Sequence, residues 1–225
     1  METIDFSVLK PSVESYYILD TFLIPRINDN TRCLEIGVGS GEIANLLSKF
    51  CKVFAVDVSE KCLERLGGKV CGKFKVNLEF EKIPVNENFF DVVICFAVLE
   101  HIKNYMHALK EIHRVLRPGG ILIASTPNIN WWPFRIKFLL GKCPEDFHTA
   151  DHVNFWNIKR FRQIFVDSGF KVINQFTSIG LINIFYPFIK RYRKKYIEIY
   201  DKYIFIASKL NSKFFGYNQV IVAEK

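Results

Sequence analysis

The sequence predicts an α/β protein whose seven strands form a mostly parallel sheet with helices on both faces. Short apolar runs of strand length alternate with longer stretches whose apolar residues recur at helical spacing. This alternation is typical of a doubly wound sheet. Glycine and proline mark the ends of many of these segments. Ligands of such sheets bind beyond the carboxyl ends of the strands, so residues at that edge are the candidates for a site.

Strands are predicted over residues 31–36, 52–56, 73–77, 90–95, 121–125, 171–176 and 219–223. Helices are predicted over residues 12–23, 42–50, 59–67, 105–116 and 158–168. Ser59 is placed to cap the third of these helices, because a serine hydroxyl accepts hydrogen bonds from first-turn amides. The triplet Pro118-Gly119-Gly120 is expected to stop the fourth helix.

The chain has 225 residues, half of them apolar, and is expected to form a single domain. Its expected parts are an N-terminal helical segment (1–30), a core (31–177), an insertion (178–216) and a last strand (217–225). The formal net charge is +8, and residues 176–215 alone carry eight basic and two acidic side chains. The N-terminus is acidic and does not resemble a secretory signal, and no apolar run reaches the roughly 20 residues of a membrane span. The six cysteines include no Cys-x-x-Cys pair. These features predict a cytoplasmic protein with reduced thiols.

A glycine-rich turn follows the first predicted strand, with Gly37, Gly39 and Gly41 at alternate positions. Glycine lets the backbone approach a ligand closely, and the next helix directs its N-terminal amides toward that ligand. The dinucleotide fingerprint needs a small residue where this chain has Glu42, whose charge would repel a pyrophosphate. Asp57 closes the second strand, where a carboxylate can accept hydrogen bonds from both ribose hydroxyls. The pattern favours a nucleoside cofactor with a cationic centre and no phosphate.

Four segments in this order resemble the motifs of class I S-adenosylmethionine-dependent methyltransferases. They are residues 34–41 (LEIGVGSG), 55–59 (AVDVS), 89–102 (FFDVVICFAVLEHI) and 109–120 (LKEIHRVLRPGG). The chain is most similar to the small-molecule, type 11 subgroup, which includes ubiquinone-biosynthesis enzymes. The resemblance implies a Rossmann-like sheet with an antiparallel last strand, and S-adenosylmethionine as the cofactor.

The resemblance also implies a set of cofactor-binding residues at the carboxyl edge of the sheet. They are Glu35, Gly37, Gly39, Gly41, Asp57, Val58, Asn77, Leu78, Glu79 and Phe96. Glu35 is expected toward the amino-acid end of the cofactor, and apolar side chains such as Val58, Leu78 and Phe96 against the adenine. The third-strand acid that usually meets the adenine amine is not evident, and Asn77 and Glu79 are both candidates for that contact.

Two histidines are candidate catalytic bases, because a neutral imidazole can accept a proton from a hydroxyl or an activated carbon acid. His101 follows the fourth strand, near the expected methyl group; the alternative is that it packs at a helix start. His152 is either a base or a hydrogen-bonded loop residue. His148 and His152 have a spacing that would suit a metal on a helix, but their segment lacks helical periodicity, and no metal is expected. The pair Trp131 and Trp132 either lines the acceptor pocket or caps the core.

The sequence therefore predicts methyl transfer to oxygen or carbon of a small-molecule acceptor, or of one linked to lipid or glycan. The alternatives are an RNA-directed methyltransferase and a non-catalytic cofactor-binding protein. Residues 96–99 lack the Asn/Asp-Pro-Pro motif of nucleobase-amine methyltransferases, which disfavours nucleic acid as a partner. Residues 180–215 are expected to form a helical lid whose basic and aromatic residues either face solvent or contact an anionic membrane surface.

Overall fold

The computed structural model describes residues 18–68, 70–142, 152–178 and 216–225. Its centre is a seven-stranded sheet in the order β3-β2-β1-β4-β5-β7-β6. The strands are β1 (Arg32–Ile36), β2 (Lys52–Asp57), β3 (Gly72–Lys75), β4 (Phe90–Phe96), β5 (Leu116–Pro127), β6 (Lys171–Ser178) and β7 (Asn218–Glu224). The first five strands pair in parallel, and β7 is antiparallel to both β5 and β6. The predicted mostly parallel sheet with an antiparallel last strand is thus confirmed.

Five helices surround the sheet in the described part of the chain. They are α1 (Glu42–Leu47), α2 (Glu60–Glu64), α3 (Tyr105–Val115), α4 (Trp132–Leu139) and α5 (Ile158–Asp167). They follow a π-helical turn at Leu19–Leu23 and a 3-10 turn at Ile24–Arg26. Residues 12–17 of the first predicted helix lie outside the described residues, as do residues 179–215 of the insertion, which include the whole predicted lid.

Two apolar layers cover the two faces of the sheet, because successive side chains of a strand point to opposite sides. Leu34 of β1 belongs to the layer beneath α3 and α5, together with Ile112 and Phe161. Cys33, its neighbour in β1, belongs to the opposite layer with Leu47 of α1. All five side chains are 0% exposed, so the parallel strands are buried on both faces as expected of this architecture.

Three local expectations differ from the structure. The Ser59 side chain makes no capping hydrogen bond to α2; instead its backbone N–H donates to Asp57 Oδ1 at 2.8 Å. The Pro118-Gly119-Gly120 triplet lies inside β5 rather than in a turn, because Leu116 already pairs with Phe90. Helix α4 was not predicted, since its apolar residues do not follow one helical face.

No helix among residues 18–68, 70–142, 152–178 and 216–225 is long and apolar enough to cross a membrane.

Candidate cofactor and acceptor site

A cavity of about 520 Å³ opens at the carboxyl edge of β1, β2 and β4. Its volume is within the range of small-molecule sites. The residues that line it are Ile36, Gly37, Gly39, Val56, Asp57, Val58, Val76, Asn77, Leu78, Glu79, Ala97, Val98, His101 and Ile102. Seven of the ten expected cofactor-binding residues and one expected catalytic histidine therefore line the same cavity.

The glycine turn between β1 and α1 is shaped by three left-handed residues, Gly37, Gly39 and Gly41, with φ of 74°, 49° and 80°. Only glycine adopts this conformation without steric cost. A Cβ on Gly37 would lie 2.3 Å from a methyl of Val98, whereas a Cβ on Gly39 would meet nothing within 4 Å. The first glycine therefore serves the packing of the protein, and the second leaves open space that a ligand can fill.

Asp57 ends β2 with its carboxylate held by the backbone around it. Ser59 N–H donates to Oδ1 at 2.8 Å, and Gly39 N–H approaches Oδ2 at 3.4 Å. These contacts fix the orientation of the carboxylate at the cavity wall. Because each carboxylate oxygen accepts more than one hydrogen bond, acceptor capacity remains for ribose hydroxyls.

Glu35 is a buried acid in β1, only 3% exposed, on the strand face that also carries Cys33. The pKa of its carboxyl is raised to about 8, chiefly by burial; a hydrogen bond from the Ala44 backbone partly opposes this rise, and the negative charge of Asp57 adds to it. Its Oε2 has no hydrogen-bond partner among the described residues. A buried acceptor of this kind suits a cationic ligand group. The fit of S-adenosylmethionine rests on this acceptor and on the open space above Gly39.

The segment after β3 places Asn77, Leu78 and Glu79 at the cavity, and both polar side chains are already hydrogen-bonded. Asn77 Oδ1 accepts from the Glu79 N–H at 3.0 Å, and Glu79 Oε1 accepts from the Lys103 N–H at 2.6 Å. Both residues remain candidates for the adenine contact. Their bonds tie this loop to the start of α3.

His101 and His152, the two candidate bases, lie together. Their ring centroids are 4.5 Å apart in an edge-to-face arrangement. The ligating atoms of both rings and of the Glu100 carboxylate all lie within 4.8 Å of one another. Sequence reasoning missed Glu100, because the meeting of residues 100 and 152 depends on pairing of distant segments. Residues 143–151, which include His148, lie outside the described residues.

Several expected site residues lie away from the cavity wall. Glu35 is buried in β1, Gly41 is the last glycine of the turn at the start of α1, and Phe96 packs against the apolar layer that contains Cys33; the lining does not include these three. Ala97 takes the wall position next to Phe96, with an unusual φ of 51°. Trp131 packs against Phe134 and Tyr217, with ring centroids 5.2 and 4.8 Å away. Trp131 therefore caps the core, and it is not part of the cavity lining.

Comparison with known proteins gives consistent results. A family model described as a methyltransferase domain matches residues 17–175. The probable S-adenosylmethionine-dependent methyltransferase Rv3030 of Mycobacterium tuberculosis (strain ATCC 25618 / H37Rv) is 30% identical over 140 residues, which cover 61% of this chain and 47% of that protein. The demethylmenaquinone methyltransferase of Staphylococcus aureus (strain Newman) is 27% identical over 167 residues, covering 64% of this chain and 69% of that protein. The chain thus spans about half the length of the mycobacterial relative.

Among solved structures, a SAM-dependent methyltransferase from Archaeoglobus fulgidus aligns with a TM-score of 0.65 and 18% identity, covering 94% of this chain and 93% of that chain. At this identity the likeness concerns the fold. The doubly wound sheet, the glycine turn and the acid at the end of β2 define a class I nucleoside-cofactor-binding α/β protein. The family match extends over most of the chain, and the chain belongs to the methyltransferase-domain family, whose cofactor is S-adenosylmethionine.

Proposed function

We propose that this protein transfers the methyl group of S-adenosylmethionine to oxygen or carbon of a small or amphiphilic acceptor. One observation carries the proposal: the same cavity is lined by Asp57 and the glycine turn at one part of its wall and by His101 at another. A nucleoside bound at the first part and an acceptor at the second would share one cavity. Holding two reactants together in this way accounts for much of the rate of a displacement reaction.

The residues of this chain have distinct roles in the proposal. The cofactor supplies an electrophilic methyl group on a sulfonium. Asp57 binds the ribose hydroxyls, and Gly39 leaves room for the backbone to approach the ligand. Glu35 attracts the cationic end from beneath the turn. His101 or His152 accepts a proton from the acceptor, since both are half-buried and lie at the wall or directly behind it.

An amphiphilic acceptor is supported by chemistry at the same edge of the sheet. Demethylmenaquinone, the substrate in the name of the staphylococcal relative, is one such molecule, and this supports an acceptor of that class without identifying it. Helix α4 ends with Leu139 and Leu140 exposed to 87% and 73%. Exposed leucines on the helix that follows β5 suit an acceptor delivered from an apolar phase.

The cofactor arm of the proposal is tested by calorimetry with S-adenosylmethionine, S-adenosylhomocysteine and NAD. The first two should bind, and Asp57→Ala should weaken binding by about 1–3 kcal/mol, the cost of a lost hydrogen bond to a charged group. Glu60→Ala is the matched control, because its carboxylate is exposed and pairs with Lys75. Preferential NAD binding, or unchanged affinity in Asp57→Ala, would contradict the proposed site.

The transfer arm is tested by measuring S-adenosylhomocysteine release in the presence of pooled hydroxyl-bearing, quinol and RNA acceptors. Turnover with a small or amphiphilic acceptor supports the proposal. Turnover with RNA that weakens steeply with salt would favour the RNA-directed alternative. Cofactor binding without turnover on any pool would favour a non-catalytic protein.

A further inference from the structure

We propose that Glu100, His101 and His152 bind a divalent transition-metal ion at the acceptor side of the cavity. Their ligand atoms, one carboxylate oxygen and two imidazole nitrogens, all lie within 4.8 Å of one another. Two imidazoles and a carboxylate form a donor set used by zinc and iron enzymes, in which three protein ligands leave coordination positions open. The set combines borderline nitrogen donors with one hard oxygen, so it favours first-row transition metals over Ca²⁺ or Mg²⁺.

Hydrogen bonds of the backbone and of Asn154 hold the two segments that carry these side chains next to each other. Glu100 C=O accepts hydrogen bonds from the N–H groups of Val153 and Asn154, at 2.8 and 3.0 Å. The Asn154 side-chain amide donates to the carbonyls of Leu99 and Ile102, at 3.2 and 2.7 Å. Four hydrogen bonds therefore join the turn after β4 to the segment that begins at His152. These bonds fix the backbone around the three ligands, so that an ion would have to order only their side chains.

The distances fit an ion after a small adjustment. Metal–ligand bonds near 2.0–2.1 Å place neighbouring donors about 3–3.5 Å apart, so donors separated by up to 4.8 Å must move inward by roughly 1 Å. His101 and His152 are half-buried rather than fully packed, which allows that rotation. Glu100 is only 1% exposed, so its carboxyl oxygens face little competition from bulk water for an ion.

The position of the cluster gives the ion a function, and this step rests on the methyl transfer proposed above. His101 lines the cavity, so open coordination positions would face the acceptor. In the metal-bound protein His101 and His152 would be ligands rather than bases, and the ion would make a bound acceptor hydroxyl more acidic, so that its proton is lost to solvent. The oxygen then uses a lone pair to form a bond to the methyl carbon, while the carbon–sulfur bond breaks and its electrons remain on sulfur. The site therefore favours an oxygen acceptor over carbon.

The experiment uses the full chain, stripped of metal with a chelator and titrated with Co²⁺, whose visible absorption reports its ligands. We expect one Co²⁺ per chain, displaced by Zn²⁺, with bands of nitrogen and oxygen ligation rather than thiolate. His101→Gln and His152→Gln should each weaken binding by about 10-fold or more. His113→Gln is the matched control, because that half-buried imidazole packs on Phe170 of a different region and should leave binding unchanged.

Two further measurements, S-adenosylhomocysteine binding and methyl transfer, distinguish loss of the metal site from loss of the fold or of the proposed function. Binding of S-adenosylhomocysteine by each variant reports an intact fold, so a lost metal site with retained cofactor binding supports the proposal even if Glu100→Gln, a buried change, fails to fold. No saturable Co²⁺ binding, or binding that survives both histidine changes, would overturn it. Metal bound without any methyl transfer would instead refute the proposed function and leave the metal site standing.

Discussion

The Glu35 carboxyl sits 3% exposed beneath the glycine turn, and burial raises its pKa to about 8. Near neutral pH the unliganded protein therefore holds it mainly protonated. A raised carboxyl pKa means that the folded state binds a proton more tightly than the unfolded chain does. The resulting contribution to stability is complete below the ordinary carboxyl range, and it is lost as pH rises toward about 8.

The first prediction concerns Glu35→Gln, which removes this titration. The free energy of unfolding of the native protein should fall, relative to that of the variant, as pH rises from the ordinary carboxyl range to about 8. Each pKa unit corresponds to about 1.4 kcal/mol, so the effect is measurable by urea titration at several pH values. A difference that does not change with pH would show that Glu35 is already ionised.

The same carboxyl predicts proton release on cofactor binding. A cationic ligand group near Glu35 favours the carboxylate and lowers its pKa. Calorimetry in buffers of different ionisation enthalpy should show that the native protein releases more protons than Glu35→Gln when S-adenosylmethionine binds near neutral pH. Equal proton release by the two proteins would place the cationic end of the cofactor elsewhere.

Two glycines of the turn should respond differently to alanine. Gly37→Ala forces a Cβ to 2.3 Å from Val98, so both stability and cofactor affinity should fall. Gly39→Ala meets no protein atom within 4 Å, and the strain of its left-handed backbone should cost only about 1–2 kcal/mol. Its methyl group would occupy space meant for the ligand, so affinity should fall about tenfold or more. Thermal melts and calorimetry test this contrast, which fails if Gly39→Ala binds normally.

For individual site residues, the sequence predicted features formed by neighbouring residues better than contacts between distant ones. Gly37, Gly39 and Asp57 could be placed because a glycine turn and a strand-end acid are read from consecutive residues. The neighbourhood of Glu100 could not, because Asn154, more than fifty positions away, joins the two segments through its side chain. Phe96 was expected at the adenine, but its side chain packs against the apolar layer, and the next residue, Ala97, lines the cavity instead. Successive side chains of a strand point to opposite faces, so an error of one residue at a strand end exchanges the two positions.

Helix α3 holds the loop between β3 and β4 through a buried acid. Glu111 is 5% exposed and accepts hydrogen bonds from the Ile83 N–H at 2.7 Å and from Arg114 at 2.6 and 2.8 Å. Arg114 also donates to the carbonyls of Val85 and Ile83. Burial raises the pKa of the Glu111 carboxyl, but the hydrogen bonds from Arg114 and Ile83 outweigh it, and the pKa is lowered. This stabilising contribution is therefore present above the ordinary carboxyl range and lost in acid.

Glu111→Ala should lower the free energy of unfolding by about 1–3 kcal/mol, because it leaves the Ile83 amide without its acceptor and removes one of the partners of the half-buried Arg114. Lys110→Ala, its exposed neighbour in α3, should change stability by less than about 0.5 kcal/mol. Denaturant titration of the two variants measures the difference. A loss below about 1 kcal/mol for Glu111→Ala would show that the loop is held by its apolar contacts alone.

Helices whose apolar residues recur at clear helical spacing were predicted from the sequence. Segments whose structure depends on pairing with distant residues were not. Helices α3 and α5 have apolar residues on one face and were predicted within one residue of their ends. The Pro118-Gly119-Gly120 triplet looks like a turn, yet it extends β5 because Gly119 and Gly120 exchange backbone hydrogen bonds with Lys225 at the far end of the chain. Helix α4 has one buried and several exposed apolar residues, so its apolar residues do not recur at a spacing that predicts a helix.

On the scale of the whole molecule, the basic insertion begins and ends at the edge that carries the cavity. Ser178 at the end of β6 pairs with Asn218 at the start of β7, and Asn218 also pairs with Pro127 at the carboxyl end of β5. The intervening segment 179–215 therefore leaves and rejoins the sheet at the edge where the cofactor cavity opens. Leu139, the last residue of α4, and Leu140, which follows it, are exposed, and α4 is the element that follows β5. The membrane contact predicted from the basic sequence of the insertion can therefore be tested together with these leucines.

The last prediction tests that contact with vesicles containing phosphatidylserine. The test variant replaces five basic residues of the insertion with glutamine: Lys190, Arg191, Arg193, Lys194 and Lys195. The control variant replaces five exposed lysines elsewhere: Lys49, Lys61, Lys82, Lys110 and Lys159. Both lose the same charge, so a general electrostatic effect would weaken them equally. If the insertion contacts the membrane, the test variant should lose about 1 kcal/mol of vesicle affinity per charge near the surface, and the control much less.

Salt and the leucines separate the two components of such binding. Raising the ionic strength should weaken the native protein on anionic vesicles, because the attraction is screened within about a Debye length. Replacing Leu139 and Leu140 with serine should also weaken vesicle binding, and the size of this loss should not depend on salt concentration. S-adenosylhomocysteine affinity should be preserved in every variant, since the cavity is built from β1, β2 and β4. Absence of vesicle binding by the native protein would leave the insertion as a lid in water, and loss of cofactor affinity in the insertion variant would make it part of the cofactor site.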